Sequence, residues 1–285
     1  MKEKTTSLFK LHSAILLFGL AGLFGKLLSL SPFIIVLGRA AFAALSLGII
    51  LGLSGHQLRV RRWEDLPSFI GLGGLLALHW TTFFHAIQVS TVAIGLLTYA
   101  TFPAFVTIME PYFFREKVSP VDVLATGLVV LGIVLIVPSF DLVSGITRGA
   151  LWGTLSGFSF AILSLLNRKY VKTYSSFVIT FYQNAFAALL LLPFFFMETQ
   201  LPRVRDLLLL FTLGIFCTAL AHGLFVKALE HLRAHVASIA ACMEPVYGII
   251  LALVLLGEVP KPRTVLGGAV ILGTALMVTA RHKGS

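Results

Sequence analysis

Pro103 and Glu116 stand 13 residues apart, and Pro245 and Glu258, 142 residues later, stand in the same relation. In both copies the proline interrupts an apolar stretch that closes on an acidic turn, Arg115-Glu116-Lys117 in one and Gly257-Glu258-Val259 in the other. The copying extends outward: Ala41-Phe42-Ala43-Ala44-Leu45 returns as Ala185-Phe186-Ala187-Ala188-Leu189, and Gly127 and Gly132 return as Gly268 and Gly273. Such a duplication restricts the chain to folds built from two similar halves. Met109-Glu110-Pro111 and Met243-Glu244-Pro245 look alike but lie 134 apart, outside this register.

The halves are too apolar for water. With 58% hydrophobic and 12% charged residues and a mean hydropathy of +0.96, a soluble globule would lack polar surface to cover itself. The chain therefore reads as an all-α integral membrane protein. Apolar runs and their breakers predict ten transmembrane helices near 11–30, 33–53, 67–87, 92–114, 119–138, 148–168, 176–196, 206–227, 234–256 and 263–280. They divide into two five-helix repeats, 11–138 and 148–280. An odd number of crossings enters the second repeat the other way up, which gives an inverted repeat.

The excess of 22 Lys plus Arg over 12 Asp plus Glu marks topology rather than nucleic acid. One set of loops and ends carries Lys2, Lys4, Lys10, Arg59, Arg61, Arg62, Arg115, Lys117, Arg168, Lys169, Lys172, Lys227, Arg233, Arg281 and Lys283. The opposite set carries only Arg148, Arg203, Arg205, Lys261 and Arg263, so both termini are expected in the cytoplasm. The basic start before an apolar run has the look of a signal peptide, but the run is long enough to span and lacks a clear cleavage site. It is expected to remain as the first helix. Cys217 and Cys242 fall inside predicted helices and read as packing thiols, not as a disulfide or a zinc site.

With its two halves, the Pro103-to-Glu116 and Glu244-Pro245-to-Glu258 patterns, the glycine-rich fifth and tenth helices, and Lys26 and Arg39 in the first two, the chain resembles the drug/metabolite transporter superfamily, of the bacterial type with two EamA domains. The resemblance covers nearly the whole chain. It implies a permease with a central cavity walled by the third, fourth, eighth and ninth helices, and it leaves the substrate open, from amino acids to nucleotide sugars and drugs.

Several residues are candidates for work inside the membrane. Proline in a helix frees the carbonyl four residues earlier, Tyr99 for Pro103 and Ala241 for Pro245, and such paired interruptions point to a binding site or to simple packing kinks. Glu244, near mid-helix, either couples to an ion or solute or sits in a structural ion pair. Glu110 belongs to an inner gate or is locally paired. Lys26 and Arg39 form either a positive outer vestibule or snorkelling, gate-locking groups. His79, Trp80 and Phe83 on the third helix, with His222 at the repeat position of Trp80, suggest an aromatic, titratable cavity wall or packed core. Gln183 and Asn184, beside Tyr182, are neutral amides that either hold a polar solute or join helices, at about 1 kcal/mol. His85, His231 and His235 are expected at helix ends, and His12 and His56 carry no signal.

The expected function is a secondary transporter of a small polar or amphipathic metabolite, such as an amino acid, across the cell inner membrane by alternating access. Protons are the candidate coupling ion, the chain is a monomer or a weak homodimer, and no cofactor, metal or nucleic acid is expected. A phosphate-cradling GxxxxGK[ST] motif is absent. The alternatives are a membrane enzyme acting on a lipid-linked substrate through His79, His222 and Glu244, and a channel or non-transporting subunit. No HExxH or acidic cluster supports the enzyme.

Overall fold

The computed structural model describes residues 2–53, 63–114, 120–137, 141–198, 201–232, 237, 240, 241 and 243–282. Within them all regular structure is helical. The first half holds α1 (Lys2–Leu27), α2 (Pro32–Leu53), α3 (Leu66–Val89), α4 (Val92–Tyr99), α5 (Phe102–Phe114) and α6 (Pro120–Ile136). The second holds α7 (Gly145–Tyr170), α8 (Ser176–Phe195), α9 (Val204–Gly214), α10 (Ala221–Ala228), α11 (Met243–Leu256) and α12 (Pro262–His282). Among the described residues, seven stretches are long and apolar enough to cross a membrane, with α4–α5 and α9–α10 each counting as one. The predicted turn at Glu116, the thiol of Cys242, His56 and His235 lie outside the described residues.

Packing pairs the two halves with one another. α3 runs along α7, and its counterpart α9–α10 runs along α1; α4 and α5 lie on α7, as α11 lies on α1; α2 faces α8, and α6 faces α12. Exchanging the halves leaves this list of neighbours unchanged. Close approach depends on missing side chains. On α7, Gly149, Gly153 and Gly157 follow at four-residue steps on one face, and a Cβ at Gly153 would strike Thr98 while one at Gly157 would strike the Tyr99 carbonyl.

Three local features depart from simple helices. α1 begins at Lys2 rather than at residue 11, because nothing between Lys2 and Lys10 breaks a helix. Pro103 stands in the first turn of α5, where its missing N–H costs nothing, and the chain turns at Ala100 and Thr101 before it. There Thr101 Oγ1 donates to the Thr98 carbonyl at 2.7 Å, and the Tyr99 carbonyl faces Gly157. Between α9 and α10, Ile215–Leu220 is a π-helical turn where the sequence predicts a plain helix. Its wide turn is visible in Thr218 Oγ1, which donates back five residues to the Leu213 carbonyl at 2.7 Å.

Candidate functional site

Side chains from seven of these helices and from both halves meet around one central cavity. α3 presents Leu76, His79, Trp80 and Phe83, which share a face at the i, i+3, i+4, i+7 spacing. α1 adds Phe18 and Ala21, α2 adds Arg39, α4 ends on Tyr99, and α7 adds Phe160; His222 comes from α10 and Glu244 from α11. The cavity leaves about 30 Å³ for the centres of water-sized molecules, which is room for about two waters. It is far smaller than the several hundred Å³ of a typical ligand pocket.

Arg39 is the best anchored of the polar groups, at 2% exposure. Its Nε donates to Thr218 Oγ1 at 2.9 Å and Nη2 to the Cys217 carbonyl at 3.3 Å. Both acceptors belong to the π turn, which exposes a carbonyl that an α-helix would have used. The guanidinium also stacks on Trp80, 3.7 Å from the ring centre, with Phe84 at 5.4 Å. Nη1 makes no hydrogen bond among the described residues.

His79 is held by Ser156 of α7. Nδ1 lies 2.8 Å from Ser156 Oγ and 3.2 Å from its carbonyl oxygen, and Ser156 Oγ donates to the His79 carbonyl at 3.0 Å. Since the serine hydrogen is spent on that carbonyl, Nδ1 carries a proton, and in the neutral ring Nε2 is an acceptor. Among the described residues His222 has no hydrogen bond at either ring nitrogen, and it meets Trp80 edge to face at 5.9 Å. Glu244, 4% exposed, has Oε2 buried without a partner among the described residues. Arg39 and Glu244 line the same cavity without forming an ion pair. A carboxyl in that setting needs a positive partner, a proton or a cationic group.

The remaining predicted residues lie elsewhere. Pro103 and Pro245 are buried in α5 and α11 but do not line the cavity. Gln183 donates from Nε2 to Asn167 Oδ1 on α7, one turn or more from the cavity wall. Glu110 pairs with Arg168 across α5 and α7. Lys26 is exposed and far from Arg39 in role: its Nζ donates to the Ser90 carbonyl at 2.8 Å, just past the C-terminus of α3. Glu258, the acid of the second turn, accepts from the Val92 N–H at 2.8 Å, at the N-terminus of α4. It belongs to a second cavity, about 300 Å³ by the same measure, between the α3–α4, α6–α7 and α11–α12 connections.

Phe18 and Phe160 were not singled out from the sequence, although the repeat register marks them: they are 142 residues apart. Phe83 and Phe225 are another such pair, and Phe225 lies 5.9 Å from Phe18 and 5.5 Å from Phe160, centre to centre.

A duplicated membrane bundle with a small central cavity of aromatic walls and a few charged or titratable groups between its halves has the build of a small-molecule transporter, and comparison with known proteins agrees. The sequence profile of the EamA-like transporter family matches residues 6–137 and 147–280, and the chain belongs to that family. It is 27% identical to the uncharacterized transporter YxxF of Bacillus subtilis, over 99% of this chain and 92% of that one. It is 24% identical to the pseudopaline exporter CntI of Pseudomonas aeruginosa, over 88% and 87%, and 24% identical to an S-adenosylmethionine uptake transporter of Rickettsia conorii, over 74% and 71%. A solved crystal structure shares the fold, with a TM-score of 0.70 at 20% identity and 99% coverage of both chains. The family and these named relatives are transporters, not enzymes.

Proposed function

We propose that this chain carries a small polar or amphipathic metabolite, with an amino acid as the leading class, across the cell inner membrane by alternating access. The observation that carries the reading is the make-up of the central cavity: a stacked cation at Arg39, an unpartnered carboxyl at Glu244, two imidazoles and a wall of aromatic rings. That set offers one partner for a carboxylate, one for an ammonium and apolar faces for a side chain. In this reading the chain crosses ten times as two inverted repeats, 11–138 and 148–280, with both termini in the cytoplasm, and the small cavity is a closed intermediate between inward-open and outward-open forms. Glu244 is the group that exchanges a proton or meets the solute's cation. The relatives' printed names include both an exporter and an uptake transporter, so they support transport without choosing its direction.

The test is a thermal-shift screen of the purified chain against amino acids, amines, nucleosides and sugars, with Glu244→Gln and His79→Ala beside it. A bound ligand raises the melting temperature by mass action. Stabilisation by one chemical class, lost in both variants, is the expected result. Stabilisation that survives both variants places the site away from this cavity.

A further inference from the structure

A second set of buried polar groups lies outside the central cavity. Ser164 and Asn167 on α7, and Ser176, Gln183 and Asn184 on α8, are each at most 1% exposed. Ser164 Oγ, Asn167 Nδ2, Ser176 Oγ, Gln183 Oε1 and Asn184 Oδ1 have no hydrogen-bond partner. More than half of the unpartnered buried side-chain atoms among the described residues fall on these two helices. Turning both amides over does not help, because the Gln183–Asn167 bond always leaves one donor and one acceptor unused.

The groups are arranged in rows. On α7, Ser156, Phe160, Ser164 and Asn167 follow at steps of four, four and three, on a single face. The row starts at the serine that holds His79 and at a ring lining the cavity, and ends about 16 Å further along the helix. On α8, Ser176, Thr180 and Asn184 follow at steps of four, Thr180 donating to the Ser176 carbonyl and Asn184 to the Thr180 carbonyl, both at 2.8 Å. The Gln183–Asn167 bond joins the two rows. At the far end Phe69 of α3 is ringed by Tyr170, Tyr174 and Tyr182, with ring centres at 5.9, 5.1 and 5.2 Å, and Tyr174 Oη donates to Asp65 Oδ2 at 2.5 Å.

We propose that these rows are one half of the solute path, running from the central cavity to the end of the bundle that bears the α7–α8 turn, and that Phe69 with its three tyrosines is the plug that closes it. This rests on the transporter reading. In hydrocarbon a polar atom without a partner is costly, and two apolar residues of similar shape would pack this interface better. Groups that accept and donate to passing water and solute make use of that cost. The polar groups of the rows are all amides and hydroxyls, which offer hydrogen bonds to water and solute without a fixed charge. The Tyr174 hydroxyl ties the seal to Asp65 beside the start of α3.

The experiment reads water access without needing the substrate. Ser176→Cys, Thr180→Cys, Asn184→Cys and, as a lipid-facing control at similar depth, Leu189→Cys are made singly in a Cys217→Ala, Cys242→Ala chain in sealed vesicles. Each is treated with methyl methanethiosulfonate and, separately, with its impermeant trimethylammonium analogue, and labelling is followed by mass. The path predicts reaction at 176, 180 and 184 with the neutral reagent, from the α7–α8 side for the impermeant one, and none at 189. Adding Tyr174→Ala speeds labelling at 184 at least tenfold. Labelling at 176 alone, unchanged by Tyr174→Ala, would overturn the proposal.

A paired measurement guards against a misfolded variant. Asn167→Leu with Gln183→Leu is expected to raise the melting temperature, and a fall would mean that the amides are structural glue. Either result is independent of the ligand screen, which can succeed while this path fails.

Discussion

The two halves share an apolar frame and differ in almost every polar group placed on it. Phe18 answers Phe160 and Phe83 answers Phe225, but Trp80 answers His222, Phe102 answers Glu244, and Arg39 stands where the second half has Gln183. The backbone differs at the same level: α3 is a regular helix of 24 residues, whereas its counterpart is split by the π turn that receives Arg39. A cavity with equal halves would hold a solute equally well in two opposed orientations. In the proposed function, the cation in one half and the carboxyl in the other would select one orientation, while the shared rings keep the shape common to both.

That contrast can be broken most forcefully at Arg39. Arg39→Ala removes two charged hydrogen bonds and the stack on Trp80, and leaves the Cys217 carbonyl bare; unfolding free energy is expected to fall by about 3 kcal/mol. Arg39→Lys recovers only part of this, since an ammonium neither forks nor stacks. A parent-like denaturation midpoint for Arg39→Ala would show that the π turn stands without it.

Gly157→Val comes next, at about 2 kcal/mol, because the added carbons meet the Tyr99 carbonyl and force α4 off α7. Its counterpart contacts on α1 should be unaffected, which hydrogen exchange of α4 against α11 can check. The fifth- and tenth-helix glycines sharpen the comparison further. Gly132 is wedged against Ile271 and the Gly267 carbonyl, while its repeat equivalent Gly273 meets nothing; Gly127 meets nothing, while Gly268 meets Leu97. Gly132→Ala should lower stability by about 1 kcal/mol, and Gly127→Ala should raise it by roughly 0.5 kcal/mol by removing chain entropy. Equal melting shifts for the two would refute the packing asymmetry. Smallest of all, Lys26→Ala should cost about 0.5 kcal/mol, the worth of a cation at an exposed helix end. A loss several times larger would give Lys26 a role beyond capping α3.

How much of this could be read from residues alone differs by level. The helices were legible because lipid imposes a length and a composition, and the break before Pro103 because proline cannot donate. The convergence of Arg39, His79, Trp80, Phe83, Tyr99, His222 and Glu244 on one cavity follows residues flagged for being polar or aromatic in apolar runs. The π turn was not legible, since Ile215–Leu220 contains neither proline nor glycine and its partner lies 179 residues away. Gln183 was read by its repeat position to Arg39, but a shorter, neutral side chain reaches a different neighbour, Asn167. Phe18 and Phe160 looked like ordinary core, and only their 142-residue spacing set them apart.

The pairing of helices across the halves also sets an order of events during synthesis. α2 reaches the membrane with Arg39 long before the π turn that will hold it has been made. At about 5–20 residues per second, the 179 residues between Arg39 and Thr218 take about 10 to 35 s to appear. When α6 has just been made, the first half has neither α7 for its α3 nor α12 for its α6. The nascent chain thus sits half-built in the bilayer, with a cation on α2 whose eventual acceptors have not yet been made.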